Sequence, residues 1–150
     1  MQGKCCTEYN VVANSTCDYE STLNRSKVLI LVIDNDEDNL ELTSKLISYY
    51  GFQVMTATNS LKALEIFKQY QPAIVVSELM LPDVDGIGFA TCVRAGANET
   101  PIIALTSLPS HLFYEQTLRA GFNAYIEKPF EFETLEHVLT RCLKLLPSLS

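Results

Sequence analysis

Tryptophan is missing from the 150-residue chain, histidine occurs twice, and Lys and Arg are outnumbered by Asp and Glu, 11 to 18. The resulting net charge of −7 argues against nucleic-acid backbones and anionic membranes as partners, because both require clustered Lys and Arg. No apolar run approaches the roughly 18 residues of a membrane span. The opening MQGKCCTEYN lacks the apolar core of a signal peptide. These absences point to a soluble, cytoplasmic protein. Glycine is also scarce, and nothing Gly-rich follows the first apolar run, which speaks against a Walker-type or dinucleotide phosphate loop. The five cysteines (Cys5, Cys6, Cys17, Cys92 and Cys142) are odd in number and form no CxxC pair. Cys92 and Cys142 fall in predicted helices and are expected as small core hydrophobes. Cys5, Cys6 and Cys17 lie in a polar stretch with no nearby histidine and no recognised metal-ligand spacing.

Against those absences stands a chain that is 47% hydrophobic, long enough for one domain that buries about 70% of its unfolded surface. Residues 1–26 are polar, without periodicity, and read as a flexible leader. From Lys27 onward short apolar runs alternate with helical patterns. VLILVI (28–33) is a continuous β-branched run, of the kind buried on both faces in a parallel sheet. EDNLELTSKLISYYG follows, with Leu40, Ile47 and Tyr50 at helical spacing and Gly51 as a stop. The alternation repeats as strand 52–57 and helix 60–70, the latter with Leu61, Leu64 and Phe67 inward. Strand 73–77 and a helix from Gly86 to about Arg94 come next, then strand 101–106 and helix 111–120. Strand 124–127 and helix 132–146 complete the series. Five strand–helix units with short connections predict an α/β, doubly wound parallel sheet with helices on both faces.

In an open parallel sheet, ligands bind beyond the carboxyl ends of the strands. There the sequence places Asp34, Asn35, Asp36, Glu37 and Asp38 after the first strand, and Glu78 after the third. Thr106 and Ser107 follow the fourth strand, and Lys128 and Pro129 the fifth. Singly, each has a plain structural explanation. Asp36, Glu37 and Asp38 suit a helix N-terminus, Asp83 and Asp85 a turn after Pro82, and His111 and His137 a solvated helix surface. Jointly, acids, a hydroxyl and an amine converge on one edge.

Asp34–Asn35, Glu78 with LPDVDG, Ala104–Ser107 and the run from Tyr125 through Lys128, Pro129 and Phe130 resemble the receiver domain of two-component response regulators, over about residues 27–146. The resemblance implies the flavodoxin-like strand order 2-1-3-4-5. It also implies an acidic pair that binds Mg²⁺ with help from a backbone carbonyl, here Met80, and an acceptor for a phosphoryl group at the position of Glu78. Thr106 and Lys128 take the phosphoryl-contacting roles, Tyr125 that of an aromatic that changes rotamer, and Lys128–Pro129 that of a cis peptide. A sensor kinase or another signalling protein is the expected partner, docking through residues 111–146. No enzymatic activity is expected beyond weak self-dephosphorylation.

Two positions depart from the family pattern. Asn35 stands where a second acid is usual, which removes a charge from the Mg²⁺ site (Asp34, Asn35, Glu78) and weakens it. Glu78 stands where aspartate is usual, and its extra methylene carries the carboxylate outward by about 1.5 Å. Glu78 is then either a built-in imitation of the phosphorylated state or the remnant of a silenced pseudo-receiver site. A third reading, Glu78 introduced by design, leaves Asn35 unexplained. The alternatives in function are a phosphorylatable receiver with altered metal use and a flavodoxin-like flavin carrier. The carrier would need a Ser/Thr/Gly phosphate loop that is not seen after Ile33.

Overall fold

The computed structural model describes residues 25–146. Within it β1 (Leu29–Ile33), β2 (Gln53–Ala57), β3 (Ile74–Ser77), β4 (Ile102–Thr106) and β5 (Ala124–Glu127) alternate with five helices. These are α1 (Glu37–Tyr49), α2 (Ser60–Tyr70), α3 (Gly86–Ala95), α4 (Ser110–Arg119) and α5 (Phe132–Leu143). The strands form one parallel sheet in the order β2-β1-β3-β4-β5, as expected.

Alternation along the strands sends side chains to two apolar layers. Ile30, Val32, Ile74, Val76, Ile103 and Leu105 meet Leu40 and Ile47 of α1 and Leu135 and Leu139 of α5. Leu31, Ile33, Val75, Ile102 and Ala104 meet Ala63 and Phe67 of α2 and Phe89 and Val93 of α3. The central strands β3 and β4 are buried throughout, whereas β2 and β5 at the edges carry exposed Gln53, Thr56 and Glu127. Continuous apolar runs therefore mark the strands covered on both faces.

Helix ends follow local chemistry. Asp36 caps α1 by accepting from the N–H groups of Asp38 and Asn39, and Asn59 caps α2 through Lys62 N–H. Gly51 ends α1 with a φ of +105°, a conformation that costs glycine little.

Two expectations about packing are corrected. Leu61 does not face inward. It is 61% exposed, because the inward stripe of α2 runs through Ser60, Ala63, Ile66 and Phe67. Cys92 is exposed rather than in the core, because α3 turns Phe89, Ala90 and Val93 to the sheet and leaves Cys92 on the solvent side. Cys142 is buried in α5, and burial pushes its thiol up to about 11. The last helix also ends sooner than 146, with Leu143 its final residue.

Of the stretch read as a leader, Arg25 and Ser26 are described; Cys5, Cys6 and Cys17 lie outside the described residues. Arg25 is anchored to the fold. Its guanidinium donates to the Tyr50 carbonyl, Glu136 and Thr140, and lies 5.1 Å from the centre of the Phe52 ring.

Candidate functional site

Strand register builds the site. Ile33 pairs with Ser77, Ser77 with Ala104, and Thr106 with Glu127, so these strands end side by side. The ladder extends one residue further at each end. Asp34 N–H donates to the Ala57 carbonyl, Glu78 N–H to the Ile33 carbonyl and Lys128 N–H to the Thr106 carbonyl. Backbone bonds thus fix Asp34, Glu78 and Lys128 at one edge before their side chains make any contact.

The side chains then converge. Lys128 Nζ lies 3.0 Å from Asp34 Oδ2 and 3.3 Å from Glu78 Oε1, and all three side chains are largely buried. The remaining carboxylate oxygens are also engaged. Asp34 Oδ1 accepts from Asp36 N–H, and Glu78 Oε2 accepts from the N–H groups of Leu79 and Met80. Every oxygen of this buried acid pair therefore has at least one donor. Such saturation is what makes burial of two carboxylates tolerable. Ser77, next to Glu78, is fully buried and spends its hydroxyl on the Glu78 carbonyl.

Thr106 is buried at the end of β4, but no hydrogen bond joins it to Glu78 among the described residues. Its Oγ1 accepts from Leu108 N–H at 3.3 Å. The carbonyl of the same Leu108 accepts from the Tyr125 hydroxyl at 2.7 Å. Leu108 thus joins Thr106 at the end of β4 to Tyr125 on β5. Burial pushes the Tyr125 phenol up, and Glu127 and Glu78 add to the effect. The Lys128–Pro129 peptide is cis.

A cleft of about 470 Å³ opens above these residues, lined by Asp34, Asn35, Glu78, Met80 and Thr106 among others. Asn35 is exposed at its rim. An apolar groove of about 430 Å³ adjoins it, between Met80, Leu81 and Ile87 on one side and Leu108 and Phe113 on the other. His111 and His137 are both exposed and stand apart from the cleft lining. Among the described residues no group of three His, Cys, Asp or Glu side chains is placed to hold a metal, and no helix is long and apolar enough to cross a membrane.

Several residues that shape the site escape a reading of local pattern. Asp83, taken as a turn former, reaches across to α2, where its carboxylate accepts from the N–H groups of Ser60 and Leu61. The Leu61 N–H is the chief cause holding its carboxyl below the ordinary range. Ser60 answers by donating its hydroxyl to the Val84 carbonyl. Together they pin the loop that follows Glu78. Asp85 caps α3 through Gly88 N–H. Gly86 is required by contact: a Cβ there would stand 2.5 Å from the Glu78 carbonyl oxygen and 2.9 Å from Leu79 Cα. No sequence signal reports a cap supplied from 23 residues away.

A five-stranded parallel sheet of this order, with two acids, a hydroxyl and a lysine at its carboxyl edge, defines a receiver-type α/β domain. Residues 30–140 match the family model described as the response regulator receiver domain, and the chain belongs to that family. It is 31% identical over 115 residues to the transcription factor SKN7 of Saccharomyces cerevisiae, which covers 77% of this chain and 18% of that protein. It is 33% identical over 119 residues to the response regulator MprA of Mycobacterium sp., covering 79% and 50%. Among solved structures it resembles the receiver domain of NtrX from Brucella abortus, with 25% identity and a TM-score of 0.74 over 78% of this chain and 99% of that one. It also resembles a BeF3-activated DrrB receiver domain, with 27% identity and a TM-score of 0.71 over 78% and 97%. The chain thus spans less than a fifth of SKN7 and half of MprA. The family match sets aside the flavin-carrier alternative.

Proposed function

We propose that this domain is a receiver module of phosphorelay signalling that acts by docking to a partner protein, with Glu78 serving as a fixed acid in the phosphoacceptor position. The observation that carries this reading is the engagement of the Glu78 carboxylate by Lys128 on one oxygen and by two backbone N–H groups on the other. A phosphoryl acceptor needs a free oxygen in line with its donor, and a displacement of about 1 Å costs about 100-fold in such a reaction. A glutamate already bonded in this way is poorly placed to be one.

Imitation of the phosphorylated state is favoured over a silent site by the Tyr125–Leu108 bond. A carboxylate that holds Lys128 supplies part of the charge a phosphoryl group would bring. Tyr125 meanwhile already faces the β4–α4 loop through its hydroxyl. The partner face is the surface of α4, β5 and α5 (residues 111–146), where Leu112, Tyr114 and Leu118 are exposed. A sensor kinase or another signalling protein is the class of partner. No catalytic activity is assigned to the domain beyond, at most, loss of its own phosphate.

Mg²⁺ suits the donors in kind, since Asp34, Asn35, Glu78 and the Met80 carbonyl offer only oxygen. It would have to compete with Lys128 for both carboxylates, and Asn35 brings no charge, so affinity is weak. Bound Mg²⁺ would neutralise part of the negative charge of Asp34 and Glu78.

Glu78→Gln tests the reading. It should release Tyr125 from Leu108, seen in the side-chain rotamer by NMR, and weaken partner binding by about 5- to 150-fold, the span of typical coupled sites. If Glu78→Gln and Glu78→Ala both leave Tyr125 and partner affinity unaltered, Glu78 belongs to a silent site.

A further inference from the structure

Two side chains of β5, two residues apart and so on one face of the strand, reach the segment that leads into α4. Tyr125 donates its hydroxyl to the Leu108 carbonyl. Glu127 accepts the N–H of Ser110 through Oε1, at 3.0 Å. Ser110 is the first residue of α4, and the residue before it, Pro109, makes no side-chain cap bond. The first N–H groups of any helix lack partners inside it, and proline offers no side-chain acceptor. Glu127 supplies that acceptor from a neighbouring strand, with a negative charge that the helix N-terminus favours. Glu127 also immediately precedes Lys128, so adjacent residues carry the site's cation and the cap of α4.

We propose that Glu127 is a positioning residue that latches the start of α4 to the end of β5, and so holds the β4–α4 loop where Leu108 can receive the Tyr125 hydroxyl. The latch sets the orientation of the exposed apolar residues Leu112, Tyr114 and Leu118. It acts from the output end of the loop, whereas Thr106, bonded to Leu108 N–H, acts from the site end. The Ser110 backbone N–H, then its hydroxyl, hold the Glu127 carboxyl below the ordinary range, with His111 adding a smaller effect in the same direction. Its functional meaning rests on the reading of the Tyr125–Leu108 bond given above, but the latch itself does not depend on Glu78.

Two variants of the full chain break the bond from opposite sides. Glu127→Ala removes the acceptor. Ser110→Pro removes the donor and leaves Glu127 in place; proline is favoured at a first helical position. Pro109 already has the extended backbone, φ −66° and ψ 129°, that a residue before proline needs. Amide exchange at Leu112 and Phe113 should rise about fivefold in Glu127→Ala, the size of losing one cap. In both variants NOEs from the Tyr125 ring to Leu108 should fall, and the double variant should lose no more than either single. Glu127→Gln keeps an acceptor oxygen and should lose less. If the Tyr125 NOEs and rotamer are unmoved in Ser110→Pro, Glu127 is only a helix cap and the proposal is wrong. Should Glu127→Ala not fold, Ser110→Pro and Glu127→Gln decide by the same NOEs. Release of Tyr125 by these variants, with Tyr125 and partner affinity unaltered in both Glu78→Gln and Glu78→Ala, would uphold the latch and overturn the mimicry reading instead.

Discussion

Replacing Lys128 with methionine keeps an unbranched apolar stem, one atom shorter, and removes the ammonium that sits between Asp34 and Glu78. The ammonium lies 3.0 Å from the first carboxylate and 3.3 Å from the second, in a setting where the lysine side chain is 17% exposed and the acids 8% and 10%. Without it, two largely buried carboxylates face each other with only backbone N–H groups for support. Removing one partner of a buried pair costs about 3–5 kcal/mol. The open cleft and the surviving bonds to Asp36, Leu79 and Met80 put this case near the lower end, at about 3 kcal/mol. For a domain of this size that lowers Tm by roughly 10 °C. Urea unfolding followed by far-UV circular dichroism is the natural assay, since the chain has no tryptophan.

The background decides the interpretation. In Glu78→Gln the same change should cost about 1–2 kcal/mol less, because one repelling charge is gone. With Asp34→Asn and Glu78→Gln together, Lys128 becomes the uncompensated buried ion, and Lys128→Met should turn neutral or stabilising. A loss under about 1 kcal/mol in the unaltered chain, or an equal loss in all three backgrounds, would refute the three-way pairing.

Other consequences are simpler to check. Gly86→Ala forces a methyl group against the Glu78 carbonyl and Leu79 Cα, and should cost about 1–3 kcal/mol by urea unfolding while shifting the amide resonances of Glu78 and Leu79. Tyr50 donates to the Phe132 carbonyl at 2.6 Å, and burial, with Glu136 adding to it, pushes its phenol up to about 12 from an ordinary 10.0. A phenol raised in the folded state keeps its proton when the unfolded chain has lost it. Stability should therefore fall as pH rises from 10.0 toward about 12, and Tyr50→Phe should flatten that slope while losing about 1 kcal/mol below it. Iodoacetamide labelling with peptide mapping should mark Cys92 readily in the native protein and Cys142 only after unfolding.

The fold was legible where burial is continuous. β1, β3 and β4 announce themselves as apolar runs because helices cover both faces of the sheet there. The convergence of Asp34, Glu78, Thr106 and Lys128 on one edge was legible because each stands where an apolar run stops, and a parallel sheet sets those stops in one row. Periodicity carries no strand order; the resemblance to a family implies it. The sequence leaves the inward face of α2 ambiguous, because Leu61, Leu64 and Phe67 offer an apolar stripe that shares Phe67 with the buried one through Ser60, Ala63 and Ile66. Ser60 is polar and yet buried, because its hydroxyl and N–H are both used by the loop after Glu78. Bonds between residues far apart in sequence, such as Asp83 to α2, Glu127 to α4 and Arg25 to α5, follow from packing and leave no local pattern.

Intact mass spectrometry after incubation with a small acyl phosphate and Mg²⁺ distinguishes a fixed acid at Glu78 from a phosphoryl acceptor. The unaltered chain should keep its mass, whereas the chain carrying both Glu78→Asp and Asn35→Asp should gain one phosphoryl group on part of its molecules, since Asp34 and Lys128 flank position 78 and Thr106 ends β4 two strands along from β1. A stoichiometric phosphoryl adduct on the unaltered chain, mapped to Glu78, would make Glu78 a working acceptor and not a fixed acid.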